Sequence, residues 1–321
     1  MTRRSAVPPP VTAVLDASSR WLPARLGEVE DVLREQSDGY GELLAEGAGA
    51  TLAAGGKRLR PLLVLLCAGT GGGEEAVRAA AAIELVHMAT LVHDDVLDNA
   101  PLRRGQPTVA ATAGRDRALA VGDLLFSRAF ALLAKHGDIR AISLLAEASV
   151  ALARGELAQR HDAFDTGISE QRYLERCQLK TAKLFECACR LGRDVDALGA
   201  FGAEIGLAFQ LLDDVLDVSG PPERTGKARG TDLLDGTVTL PLIAAAEAEP
   251  EILDVDLQEL NAAAAEALCD RVAATGALEQ VRSRALAMVA MAKGELESAD
   301  FDPEQRQLLN LVADGVVQRY S

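Results

Sequence analysis

"LVHDDVLDNAPLRRGQPT", residues 91–108, sets three carboxylates at DDxxD spacing on the end of an apolar run and then two adjacent arginines. Upstream, Val77, Ala81, Leu85, Met88 and Val92 recur at three- and four-residue steps, the period of a buried helix face. That pattern predicts a helix from about Glu74 to Asp98 that stops at Asn99, with Pro101 just beyond. On such a helix Asp94 and Asp98 share one face, with Cβ atoms roughly 5–6 Å apart. Like charges at that spacing oppose each other, so something must offset them. A solvated helix end is the plain reading. The sharper one is a site for hard cations, which take carboxylate oxygens.

The motif returns. "LVHDDVLD" (91–98) recurs as "QLLDDVLD" (210–217), 119 residues further on and again at the end of an apolar helical stretch. A single acidic helix end is common; two copies of one pattern are not. If the two helices face one another across a cavity, their carboxylates line its rim from opposite sides.

Basic residues gather beside glycine and proline. In "GGKRLRP" (55–61), Gly55 and Gly56 allow close backbone approach, and Pro61 suits the first turn of a following helix. Lys57 and Arg60 are expected just ahead of that helix N-terminus, where anions are favoured. In "LRRGQPT", an extended loop would point Arg103 and Arg104 to opposite sides, toward two different anions. "KTAK" (180–183) and "TGKARG" (225–230) add Lys180 and Lys227. Solvated surface charge is the default for any one of these. Two acidic and several Gly-flanked basic clusters together point to a metal-bridged polyphosphate.

Composition bounds the rest. Of 321 residues, 49% are hydrophobic and only 3% aromatic, rich in alanine and leucine, which favours helix over strand. With 33 basic against 48 acidic residues the net charge is −15, which argues against a nucleic-acid surface and anionic lipid. Cys67, Cys177, Cys187, Cys189 and Cys269 lack metal-ligand spacing and read as buried structural thiols of a reducing cytoplasm. "MTRRSAVPPPVTAV" has no apolar h-region, and "PLLVLLCAG" is too short to span a bilayer, so neither signal peptide nor integral membrane segment is expected. Residues 1–10 are expected to be a disordered tail and 11–321 one α-helical domain. Breaks are expected at "GAGATLAAGGKR", "GTGGG", "NAPLRRGQP", "KHGD", "DTGIS", "SGPPERTGKARG" and around Pro250.

The ordered set "GGKRLRP", "ELVHMATLVHDDVLDNAPLRRGQPT", "GDLLFSRAF", "GELAQ", "KTAKLF", "FQLLDDVLD", "GKARGTDLLDGTVTLPL" and "LVADGVVQR" resembles the trans-isoprenyl diphosphate synthases, or polyprenyl synthetases, from about residue 40 onward. The resemblance implies an all-α bundle around a central cavity, usually a homodimer. It implies condensation of an allylic diphosphate with isopentenyl diphosphate, with Mg²⁺ as cofactor.

By that resemblance Asp94, Asp98 and Asp213 bind Mg²⁺, supported by Asp95, Asp214 and Asp217. Arg103, Lys180 and Lys227 match allylic-diphosphate ligands, and Lys57, Arg60, His87 and Arg104 match isopentenyl-diphosphate ligands. A lone histidine on an apolar helix is more often a core residue; the resemblance reverses that for His87, and His93 keeps it. The Lys180 carbonyl, Thr181 hydroxyl and Gln210 side chain are implied to face the carbocation left when the diphosphate departs. A threonine within a helix can bond back to a carbonyl and bend the helix, freeing a carbonyl for that role. The growing tail is expected to run down the Asp94 helix toward its N-terminus, past Ala89, where makers of short products carry a bulky aromatic. Ala81 and Ala82 lie further down, and Met88 and Phe126 could narrow the path. A product of twenty carbons or more is therefore expected. One departure stands out: Thr237 occupies a position where the family more often has lysine.

Two other readings stay open. A terpene cyclase also ionises a prenyl diphosphate, but normally lacks the second DDxxD and the "GGKRLRP" site, and uses more aromatics. A non-catalytic regulatory subunit of a two-component synthase tends to lose the metal aspartates, which are kept here.

Overall fold

The computed structural model describes residues 9–38, 41–220, 229–298 and 300–318. These are almost entirely helical, as the composition predicts, and the described strands are two residues long each. The backbone groups into two compact units: Met1–Ser149, Cys187–Gly199 and Asp300–Gly315 in the first, and Val150–Glu186, Ala200–Ala299 and Val316–Ser321 in the second.

The first unit opens with α1 (Pro9–Ala17), α2 (Leu22–Ser37), α3 (Glu42–Ala53), α4 (Leu59–Ala68) and α5 (Gly73–Leu97). The strands β1 (Leu102–Arg103) and β2 (Gln106–Pro107), then α6 (Val109–Ala113) and α7 (Arg115–Lys135), follow. Helix α5 matches the periodicity within a residue at each end, and it is the core. Ile83, Leu85, Val86, Met88, Val92 and Val96 are all buried, each stabilising by roughly 1.5–3 kcal/mol at full burial. It packs against α7, α4 and α2. Close approach to α7 requires Gly122, because a Cβ there would stand 2.2 Å from His93 Nε2. His93 is thus a packing residue, stacked on Phe126 with ring centroids 6.0 Å apart. By length and composition α5 could cross a membrane, but 72% of its apolar window is buried within the protein, which marks a core helix.

The chain continues through α8 (Ile139–His161) and α9 (Glu170–Cys177) into a π-helical turn, Gln178–Ala182, and then α10 (Lys183–Gly192) and α11 (Asp196–Ser219). After these come α12 (Thr231–Leu234), α13 (Leu240–Ala248), α14 (Ala262–Ala274), α15 (Ala277–Ser298) and α16 (Pro303–Gln318). Side-chain caps start several helices: Ser169 accepts from the Arg172 N–H at 3.2 Å, and Asn261 from that of Ala264 at 3.0 Å. All five cysteines are buried and none forms a disulfide.

Three expectations need correcting. "GAGATLAAGGKR" does not break where it begins, since α3 runs on to Ala53. Gly47 is there for packing: a Cβ would lie 2.8 Å from Val121 Cγ2 on α7. "NAPLRRGQP" is not an open loop but a hairpin, with Arg103 paired to Gln106 across a two-residue turn. Arg104 and Gly105 take φ of 54° and 75°, as a type I′ turn demands. Of the expected disordered tail, residues 1–8 lie outside the described residues, and Pro9 and Pro10 already begin α1.

Candidate active site

In the first unit the cations gather around His87. Arg58 is the N-cap of α4 at φ 47°, and Arg60 lies inside the first turn of that helix rather than ahead of it. A Cβ on Gly56 would stand 3.0 Å from Arg104 Nη1 and 3.3 Å from Arg58 Nη1, so both guanidinia rest on this glycine. Burial lowers the pKa of Arg60 to about 10; Glu84 opposes that shift and Arg104 adds to it. His87 is held well below 6.5, first by burial and then by the charges of Arg60, Arg104, Arg103 and Arg58. A neutral imidazole has one ring nitrogen to donate a hydrogen bond and one to accept. Lys57 is exposed beside this group.

The adjacent arginines part. Arg103 Nε donates to Asp95 Oδ1 at 2.6 Å, fixing β1 to the end of α5. Arg104, at the tip of the turn, reaches Gly56 instead. The separation expected of an extended loop is achieved by a turn with positive φ at both central residues. Asp95 is buried at 5% exposure, while Asp98 is exposed and Asp94 half-buried. The Asp98 N–H donates to the Asp94 carbonyl at 2.8 Å, so the two carboxylates stand one helical turn apart.

The second unit holds a chain of hydrogen bonds. Tyr173, 1% exposed, donates its hydroxyl to Asp214 Oδ2 at 2.5 Å. Gln210 Nε2 donates to Asp214 Oδ1 at 2.7 Å, and the Thr181 hydroxyl donates to Gln210 Oε1 at 2.7 Å. Burial, then the charges of Asp232 and Asp213, push Asp214 up to about 8. Asp217 Oδ2 accepts from the Asp232 N–H at 3.2 Å, and Asp213 is exposed. The helix does depart from α geometry at Thr181, but by a π turn, and the hydroxyl bonds to Gln210 rather than back along its own helix. Such single π turns recur at functional sites.

Lys180 lies in that turn, with Nζ 2.5 Å from Glu156 Oε2. Burial would raise the Glu156 pKa, but the charge and hydrogen bond of Lys180 lower it overall. Gly155 makes room for this contact: a Cβ there would meet the Lys180 backbone nitrogen at 2.6 Å. Thr237 sits in a turn where its N–H donates to the Asp232 carbonyl at 2.7 Å. Lys227 lies outside the described residues.

Each unit carries carboxylate oxygens of the kind that hard divalent cations take. In the first unit Asp94 is half-buried and Asp98 exposed, while Asp95 is buried and accepts from Arg103; in the second Asp213 is exposed, while Asp214 is buried and accepts from Tyr173 and Gln210. Among the described residues no group of three or more His, Cys, Asp or Glu side chains is placed to hold a metal ion by itself. A divalent cation that keeps several waters and takes one or two carboxylates plus phosphate oxygens is compatible with either acidic helix end. The motif reading did not foresee Arg58, Glu84, Glu156, Tyr173 or Asp232. Arg58, Glu84, Glu156 and Asp232 lie inside recognised stretches, while Tyr173 carries no local signal.

The family described as Polyprenyl synthetase matches residues 42–273. A heptaprenyl diphosphate synthase component 2 of Geobacillus stearothermophilus is 42% identical over 242 residues, 72% of this chain and 75% of that protein. A short chain isoprenyl diphosphate synthase of Methanothermobacter thermautotrophicus is 33% identical over 326 residues, 91% of this chain and 99% of that protein. A crystal structure of polyprenyl synthase from Caulobacter crescentus CB15, complexed with calcium and isoprenyl diphosphate, is similar with a TM-score of 0.87 at 32% identity. That match covers 98% of this chain and 99% of that one. The protein therefore belongs to the polyprenyl synthetase family, a prenyltransferase of isoprenoid biosynthesis with the all-α isoprenoid synthase fold.

Proposed function

We propose that the chain is a trans-polyprenyl diphosphate synthase. It condenses isopentenyl diphosphate head-to-tail with an allylic diphosphate and releases a prenyl diphosphate of twenty carbons or more. The observation that carries this reading is the group of Arg60 and Arg104 around a neutral His87. A cyclase, which ionises one diphosphate, has no use for such a second anion site.

In this reading Lys57, Arg60, His87 and Arg104 hold isopentenyl diphosphate, and Arg103, Lys180 and Lys227 hold the allylic diphosphate. Asp94, Asp98 and Asp213 hold Mg²⁺, which when bound neutralises the departing diphosphate as a Lewis acid. Asp95, Asp214 and Asp217 support. Lys180 exchanges Glu156 for, or shares it with, a phosphate oxygen. The Gln210 carbonyl oxygen, the Thr181 hydroxyl oxygen and the Lys180 carbonyl present negative dipoles to the developing cation. Asp214, by accepting from Gln210 Nε2, keeps the amide turned so that its oxygen lies on the Thr181 side. Thr237 contributes no charge, so Lys180 and Lys227 carry more of the allylic diphosphate's neutralisation.

The small Ala81, Ala82 and Ala89 support the long product, but all three are fully buried. A lengthening tail therefore displaces packed neighbours, and small side chains leave little to displace. Residues 11–321 act as one polyprenyl synthetase domain in a cytoplasmic homodimer. Its contact face includes Val150 and Leu157, 61% and 71% exposed and two helical turns apart on α8. Five buried thiols without a disulfide suit the reducing compartment. Because one relative is named as a component 2, a second reading is a subunit that needs another chain for activity. Purified protein incubated with isopentenyl diphosphate, a C₁₀ or C₁₅ allylic diphosphate and Mg²⁺ decides. Elongated products support the proposal, cyclised products or silence refute it, and activity only on adding a second component selects the other reading.

A further inference from the structure

Arg58 lies between Lys57 and Arg60, yet all three of its guanidinium nitrogens are committed within the protein. Nε donates to Glu30 Oε1 at 2.5 Å, Nη1 to Glu84 Oε1 at 2.9 Å, and Nη2 to Glu30 Oε2 at 3.4 Å and the Leu52 carbonyl at 3.3 Å. One side chain thereby ties α2, the end of α3 and α5 to the turn that precedes α4. Its backbone is left-handed at φ 47°, which a residue other than glycine holds only where surrounding contacts over-determine it. Glu84 is 3% exposed and stands one helical turn before His87 on α5. A buried carboxylate needs a partner held in fixed geometry, and Arg58 supplies one. Gly56 and Arg60 flank Arg58 closely, and Gly56 is the surface on which the Arg104 guanidinium rests. Moving Arg58 therefore moves both cations beside His87.

We infer that Arg58 is a positioning residue for the isopentenyl diphosphate site: clamped by Glu30 and Glu84, it sets the turn that places Arg60 and Arg104 on one anion. This rests on the assignment of that cluster proposed above. Four of the five N–H donors of Arg58 go to the two carboxylates and a carbonyl, so its guanidinium serves the turn rather than a phosphate. Lysine at this position keeps the charge but loses the planar fork that engages both carboxylates at once. Glu30 is half-buried on α2, so Glu30→Gln loosens the clamp from its accessible side.

The test measures KM for isopentenyl diphosphate and for the allylic substrate separately in Arg58→Lys, Glu30→Gln and Arg104→Ala. Circular dichroism and thermal unfolding on each check the fold. Arg58→Lys and Glu30→Gln are expected to raise KM for isopentenyl diphosphate about tenfold or more, while the allylic KM moves less than about twofold. A purely structural pin would shift both constants alike or neither, and either result in a folded variant overturns the inference. Should Arg58→Lys fail to fold, Glu30→Gln decides alone. Arg104→Ala reports on the site assignment. If it too spares KM for isopentenyl diphosphate, the assignment falls and takes the inference with it. If Arg104→Ala raises that constant and the clamp variants do not, only the inference falls.

Discussion

Gly155→Ala is a small change with a large expected effect. The added Cβ would stand 2.6 Å from the Lys180 nitrogen, 2.9 Å from its Cα and 3.0 Å from the Leu179 carbonyl carbon. These are backbone atoms, so no rotamer relieves the clash. Reaching an ordinary separation of 3.4 Å needs a displacement of roughly 0.8 Å, taken by α8, by the π turn, or by both. Overpacking of this kind costs about 1–3 kcal/mol, and replacing a helical glycine returns about 1 kcal/mol, so stability should fall by up to about 2 kcal/mol. The catalytic cost is expected to be greater. Lys180 and Thr181 sit on the displaced segment, and a shift near 1 Å in a positioning group costs about 10²-fold in rate. Steady-state turnover and urea unfolding, run in parallel, measure both. Gly294→Ala on α15 is the control, since a Cβ there meets nothing within 4 Å. It should gain about 0.5–1 kcal/mol and leave turnover unchanged. Gly155→Ala protein with turnover within about twofold of wild type and undiminished stability would show that this contact does not set the site.

Asp94→Ala and Asp213→Ala should each lower turnover by orders of magnitude with helical circular dichroism intact; near-normal turnover in either would sink the metal assignment. His87 titrates with a definite sign. The folded protein keeps it neutral, while the unfolded chain takes up the proton below about 6.5, so stability present above that pH falls as the solution is acidified. Relative to His87→Gln, wild type should lose up to about 1.4 kcal/mol per pH unit below about 6.5 in urea titrations; parallel pH profiles would refute this. Ala89→Phe fills a fully buried position and should shorten the product toward fifteen carbons by mass spectrometry. An unchanged product length, or a wild-type product ending at fifteen carbons, would remove Ala89 from the path of the tail.

Local pattern sufficed for α5, for the placing of Asp94 and Asp98 one turn apart on its end, and for the burial of the five thiols. Each depends on helix period or on the cost of exposing apolar groups, and neighbours in the chain report both. The paired DDxxD motifs were legible for the same reason, and they carried the family. Tertiary packing decided what surrounds them. The glycines of α3 read as a break because an isolated helix disfavours them; against α7, Gly47 is the residue that fits. Asp95 and Asp214 belong to the same motifs as Asp94 and Asp213, yet each is turned inward by a partner from another element, Arg103 for one and Tyr173 for the other. Tyr173 lies 41 residues before Asp214, and Glu156 lies well before Lys180. Hydrogen bonds and ion pairs act over about 3 Å in space with no preferred distance along the chain. Their members become readable only once the fold has brought them together.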